Sequence, residues 1–189
     1  MLCTAGPRPR NAEATRTAIL DAALERFARE SYDDVGLRDI AGDVGVDAAL
    51  VSRYFGSKDE LFETVIDSCD KADELMSGDR ATFGARVARD VVFEPKSDTK
   101  LKGLMVFLCS VSSTKAMEVV QRNANTRFYG PFSEWVGGPD GAIKARLAAG
   151  FIMGMAISRD ITGGYALTPE ECERMVERMA TTLQTLIDG

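Results

Sequence analysis

The stretch Leu37–Phe62, LRDIAGDVGVDAALVSRYFGSKDELF, decides how the rest of the chain is read. Counted from Leu37, a small Ala41 falls fifth, Gly45 ninth and Val51 fifteenth. Two helices that cross steeply need a side chain no larger than alanine where they touch. The tight turn between them needs a residue tolerant of positive φ, and the second helix must bury a branched apolar side chain against the first. The spacing therefore predicts helices over Leu37–Val44 and Ala48–Phe55, with Leu37, Ile40, Val44, Val46, Val51 and Phe55 as a small shared core. Asp47 stands where its carboxylate can cap the second helix. This is helix-turn-helix patterning, in which the second helix enters the major groove of DNA. On those three positions alone, a plain helical hairpin reads equally well.

Working outward, Ser57 precedes Glu60 by three residues, an S-x-x-E capping box that should start a long helix carrying Leu61, Phe62, Val65, Ile66 and Cys69 and linking head to body. Upstream, Ile19, Ala23, Leu24 and Phe27 predict a helix from about Ala12 to Glu30. Residues 1–11, MLCTAGPRPRN, are rich in Pro, Gly and Arg and should be a flexible arm. Downstream, helical spacing recurs through Phe83, Val87 and Val91, and through Leu101, Leu104, Met105 and Leu108. A further helix from about Ser113 to Trp135 should kink at Pro131. Gly137, Gly138, Pro139 and Gly141 break the chain before a helix over Ala142–Asp160 rich in small residues. Thr168, Pro169 and Glu171 then open a last helix, lined by Met175, Val176, Met179, Leu183, Leu186 and Ile187. Strand-like alternation is hard to find, and the expected fold class is all-α.

The 189 residues, 45% hydrophobic and 28% charged, are enough for a packed core and argue against wholesale disorder. No apolar run approaches roughly 18 residues and no leader pattern opens the chain, so a soluble, cytoplasmic protein with no membrane partner is expected. Cys3, Cys69, Cys109 and Cys172 form no C-x-x-C pair and read as small core hydrophobes in a reducing compartment. Histidine is absent, which removes the commonest general base and metal ligand. The carboxylates fall mostly at caps and on solvated faces, so neither an enzyme nor a bound metal or cofactor is expected.

The run Leu37–Phe62 as a whole, with its aromatic-rich second helix followed by F-x-S-K-x-x-L and a connecting helix, resembles the DNA-binding head of the TetR (TetR/AcrR) family of transcriptional regulators. The motif match covers roughly residues 15–66; the remainder agrees in size and helical layout. The resemblance implies a head over residues 12–56, with its helix-turn-helix at about 36–55, and a ligand-binding and dimerisation body over 57–189. It implies that Arg38, Tyr54 and Lys58 reach DNA phosphates, while Ala48, Ala49, Leu50, Ser52 and Arg53 face the groove. Arg53 suits guanine O6/N7 and Leu50 a thymine methyl, and Arg8, Arg10 and Arg16 would extend the basic face. Family members usually carry Ser or Thr where this chain has Gly36 and Asp47, and commonly Thr, Tyr and His where it has Leu50, Ser52 and Tyr54; the changes at 50 and 52 bear on operator sequence. Gly36 and Asp47 are expected to keep capping competence.

Met105, Leu108, Phe128, Phe132, Trp135, Phe151 and Met155 suit an apolar pocket or plain core. The resemblance favours the pocket, holding a small apolar or amphipathic ligand whose binding releases a repressor from a palindromic operator. A helical regulator with a protein effector or none is the alternative, and a small all-α enzyme a remoter one. The last two helices could complete a monomer core; the resemblance favours a four-helix bundle between two subunits, giving a homodimer. A net charge of −6 sets long-range attraction against phosphate. Binding to double-stranded DNA should then rest on few local contacts.

Overall fold

The computed structural model describes residues 9–69, 72–94 and 98–189, and among these there is no strand. The chain forms two compact units, one up to Cys69 with the return segment Lys102–Arg122, the other made of Asp70–Leu101 and Asn123–Gly189.

The first unit is built on α1 (Pro9–Phe27), α2 (Leu37–Val44), α3 (Ala48–Phe55) and α4 (Lys58–Cys69). The expected boundaries of α2 and α3 hold. α1 starts earlier than expected and stops earlier: Pro9–Asn11 are helical, proline's fixed φ suiting a first helical turn. At the other end, Arg29 and Glu30 N–H both turn back to the Arg26 carbonyl, closing the helix ahead of a short 3-10 turn at Tyr32–Asp34. Residues 1–8 of the expected arm, with Arg8 and Cys3, lie outside the described residues. Ile19, Phe27, Val35, Ile40, Ala41, Val51, Leu61 and Phe62 are buried together, and Val106, Ala116 and Val119 from the return segment join them. At the centre, the Phe62 ring meets Phe27 and Tyr32 edge-on, each at 4.9 Å between centroids. Arg26 ties α1 to α2 by a two-pronged pair with Asp43 at 2.6 and 2.9 Å, and that guanidinium holds the Asp43 carboxyl below its usual range.

The return segment carries most of α7 (Asp98–Ser110) and nearly all of α8 (Thr114–Asn123). The expected single helix from Ser113 to Trp135 is divided: α8 runs into a π-turn at Ala124–Tyr129 and then α9 (Gly130–Val136). The irregularity precedes Pro131 instead of sitting at it. Pro131 has no N–H to give, and the neighbouring Gly130 N–H reaches five residues back to the Asn125 carbonyl, so the widened turn absorbs the proline.

In the second unit a short α5 (Ala72–Met76) leads to α6 (Phe83–Phe93), which packs along the last helix, α11 (Pro169–Asp188). Phe83, Val87, Phe132, Ala145, Ala148, Val176, Leu183 and Ile187 are buried in its core. Gly84 is required here: a β-carbon on it would overlap the Ala180 carbonyl oxygen and stand 2.9 Å from the Gln184 nitrogen. The Gly84 N–H donates to the Gln184 side chain at 3.0 Å. Both expected capping boxes form, at Ser57/Glu60 and Thr168/Glu171.

α10 (Gly141–Ile161) is, by length and composition only, long and apolar enough to cross a membrane, although Lys144, Arg146, Arg159 and Asp160 confine its uncharged run to Leu147–Ser158. Three buried alanines, Ala145, Ala148 and Ala149, put one of its faces into the core of the unit. On the other, Ile143, Leu147, Gly150, Gly154, Ile157 and Ile161 recur at alternating four- and three-residue steps, with Leu147 54% and Ile161 73% exposed. Cys69, Cys109 and Cys172 are free and half-buried, and burial pushes the Cys69 thiol up.

Candidate nucleic-acid interface

The α2–α3 turn is set by Gly45, whose φ of 74° lies in the left-handed region. That residue lets the Val46 N–H reach back to the Ala41 carbonyl at 3.0 Å, ending α2 with a Schellman bond. α3 then starts on Asp47, which accepts from the Ala49 N–H at 2.7 Å. At the start of α2 the cap is one-sided: Asp39 accepts from the Gly36 N–H at 2.9 Å. Gly36 is the extended N-cap residue of α2 as expected, but glycine has no side-chain oxygen to return the bond.

Val51 and Phe55 point into the core, and this fixes which side of α3 is free. Ala49, Ser52 and Arg53 are exposed, whereas Ala48, Leu50 and Tyr54 are half-buried. Ala48 and Tyr54 pack against the core, the Tyr54 ring tilted 6.5 Å from Phe55. Arg38 is exposed near the start of α2. The Arg16 guanidinium lies 4.8 Å over the Phe55 ring. Arg38 on α2 and Ala49, Ser52 and Arg53 on α3 are thus all open to a partner.

Lys58 sits differently. Its ammonium lies 4.3 Å from the centroid of the Tyr32 ring. Burial lowers its pKa, against the opposing pull of Asp33, Asp59 and Asp34 and with a smaller push the same way from Lys115. The Tyr32 hydroxyl donates to Asp59 Oδ1, and Lys115 Nζ pairs with Asp59 Oδ2 at 2.7 Å. Hydrogen bonds from Lys115 and then Tyr32 hold the Asp59 carboxyl below its usual range, while burial and Asp59 raise the Tyr32 phenol. Tyr32, Asp59 and Lys115 were not singled out by the sequence; nothing in the spacing of Asp59 and Lys115 announces that they meet.

The residues expected to line a pocket are distributed between the units. Met105 and Leu108 are exposed on α7, in the first. In the second, Phe132 is fully buried, with Phe128 at 5.7 Å and Trp135 at 6.0 Å between ring centroids. Phe151 and Met155 line a cleft of about 370 Å³ with Leu167, Met175, Met179, Thr182, Glu171, Arg174 and Arg178. Among the described residues no group of three or more Cys, Asp or Glu side chains could hold a metal ion.

A capped helix-turn-helix with one open face, joined to a second all-helical unit, defines the structural class. The family model for bacterial regulatory proteins of the tetR family matches residues 19–65, and that for the tetracyclin repressor-like C-terminal domain matches residues 81–187. The chain belongs to the TetR family. It is 40% identical over 93 residues to the HTH-type transcriptional regulatory protein RaaS of Mycobacterium tuberculosis, covering 46% of this chain and 43% of RaaS. The chain thus spans less than half the length of the curated relatives it matches. Its fold is similar to that of NalD, the secondary repressor of the MexAB-OprM multidrug efflux pump in Pseudomonas aeruginosa, with a TM-score of 0.67 at 21% identity over 90% of this chain and 95% of NalD. A TetR-family regulator from Streptomyces coelicolor aligns over 98% of this chain and all of its own, with a TM-score of 0.58 at 25% identity.

Proposed function

We propose that the chain is a cytoplasmic, DNA-binding transcriptional repressor that sits as a homodimer on a palindromic operator and leaves it when a small apolar or amphipathic molecule binds. The observation that carries this reading is the open side of α3, with Ala49, Ser52 and Arg53 exposed opposite the buried Val51 and Phe55. Phosphate contacts come from Arg38, Tyr54 and Lys58, and base-edge contacts from Ala48, Ala49, Leu50, Ser52 and Arg53. The working division is a DNA-binding head over residues 12–56 and a ligand-binding and dimerisation body over 57–189.

Retardation of a duplex selected from a random-sequence pool, relieved by unlabelled duplex of the same sequence, tests the activity. Arg53→Ala should change which sequences are selected. Lys58→Ala should weaken all of them and lower the salt slope by about one unit; equal slopes for the variant and wild type would remove Lys58 from the phosphate contacts.

The homodimer reading is supported by the α10 seam. Its alternating four- and three-residue spacing is that of helices packed side by side, and Gly150 and Gly154 permit close approach. Placing a charge there with Leu147→Glu should shift the protein toward monomer in sedimentation at micromolar concentration and cost it two-site DNA binding. A wild-type protein that sediments only as monomer at that concentration would end this reading. The ligand is best accommodated by the cleft carrying Phe151 and Met155, whose apolar side chains together with Arg174 and Arg178 suit an amphipathic molecule. Met105, Leu108, Phe128, Phe132 and Trp135 do not line that cleft, and Phe132 is closed off in the core.

A further inference from the structure

The start of α4 gathers more charge than its caps require. Asp59 has both carboxylate oxygens engaged, one by the Tyr32 hydroxyl and the other by Lys115 of α8 at 2.7 Å. A few residues away, Ser113 donates to Asp33 at 3.0 Å and the Ser112 and Ser31 hydroxyls lie 3.0 Å apart, so the residues leading into α8 are tied to the 3-10 segment that bears Tyr32 and to Ser31 before it. Lys115 and Asp59 are 62% and 39% exposed. A pair so solvated contributes little to stability. Its location matters more, because Asp59 is the chain neighbour of Lys58.

We propose that Lys115 and Tyr32 are positioning residues for DNA binding: they occupy both oxygens of Asp59 and so keep that carboxylate from competing with a backbone phosphate for the Lys58 ammonium. This inference rests on the reading of Lys58 as a phosphate contact. An unheld Asp59 acts against binding in two ways. It competes with phosphate for the Lys58 ammonium, and it places a negative charge beside the DNA backbone. The charges that act on Lys58 are, in falling order, Asp33, Asp59, Lys115 and Asp34, and Lys115 is the cation among them; Asp33 is itself held by the Ser113 hydroxyl. A displacement of α8 that parts Lys115 from Asp59 therefore weakens DNA binding with α3 left in place. Charge balance at the start of α4, separate from any tilt of the recognition helix, becomes a route by which the middle of the chain reaches the interface.

The test uses the full chain and a duplex selected from a random-sequence pool, with affinity read by fluorescence anisotropy for wild type, Lys58→Ala, Lys115→Ala, Asp59→Asn and the Asp59→Asn/Lys115→Ala double variant. Lys115→Ala should weaken binding by about fivefold. The double variant should return to within about twofold of Asp59→Asn, because removing the carboxylate's charge removes the need for Lys115. If Lys115→Ala lowers the unfolding midpoint, Lys115→Met, which keeps the apolar stem, repeats the comparison. Wild-type affinity for Lys115→Ala, or a double variant as weak as Lys115→Ala, overturns the inference; the second result would make Lys115 a phosphate contact in its own right. If no duplex is retained, or Lys58→Ala binds with wild-type affinity and salt slope, the reading beneath it falls and the inference with it. A weakened Lys58→Ala beside an unaffected Lys115→Ala overturns the inference alone.

Discussion

Truncating Phe62 to alanine should lower the stability of the first unit by about 3–5 kcal/mol. The ring is 1% exposed and stands edge-on to both Phe27 and Tyr32. Three parts of the chain meet there: Phe27 from the end of α1, Tyr32 from the 3-10 turn and Phe62 from α4. No single backbone shift brings all three together to refill the space, so most of the cavity cost remains. Each lost edge-to-face pair adds about 0.5–1.5 kcal/mol beyond the buried area. Phe62→Leu keeps part of the volume but also gives up both ring pairs, and should lose about 1.5–3 kcal/mol, less than Phe62→Ala. The midpoint of urea unfolding reads both, and a Phe62→Ala shift no larger than that of Phe62→Leu would show that the site collapses.

The second large effect is expected at Gly84. An alanine there has no room, because its β-carbon would run into the backbone of α11 at the Ala180 carbonyl. Backbone cannot rotate aside as a flexible side chain can, so α6 and α11 must separate along their contact. Gly84→Ala should cost about 1–3 kcal/mol and Gly84→Val more. Gly42, on the exposed side of α2, is the control: a β-carbon there meets nothing within 4 Å. Gly42→Ala should therefore stabilise the protein by about 0.5–1 kcal/mol through helix propensity and a less flexible unfolded chain. Thermal unfolding of the two alanine variants should move in opposite directions; a shared direction would contradict the packing at Gly84.

The contrast between these glycines shows what the sequence can and cannot reveal. Gly45 was legible because its requirement is local: a turn between two helices of fixed spacing needs positive φ whatever lies around it. The same holds for Asp47, Ser57 with Glu60, and Thr168 with Glu171, where the partner lies within three residues. Gly84 and Gly42 look alike in a helical pattern, and only the neighbour across the contact separates them. Lys115 and Asp59 form a pair that exists because α8 folds back onto the first unit, which no periodicity encodes. The expected pocket residues were chosen for size and apolarity. Those properties do not distinguish Phe132, sealed in a core, from Phe151 on a cleft wall or Leu108 facing solvent. At Pro131 the missing N–H was legible, but not that the chain would accommodate it one turn earlier with a widened helix.

The interleaving of the two units bears on the order in which they form during synthesis. Helices α1 to α4 emerge consecutively, and their mutual contacts are short in sequence, so that cluster can assemble early and fast. It then waits for Val106, Ala116 and Val119, which follow only after α5 and α6 have been made. α6 in turn is made well before α11, the helix that covers it through Leu183 and Ile187. Until α11 is available, Phe83 and Val87 have no lasting partner on that side. The nascent chain thus carries the α11-facing side of α6 uncovered until its last helix is made, although Phe132 and Trp135 can reach the Phe83 ring sooner.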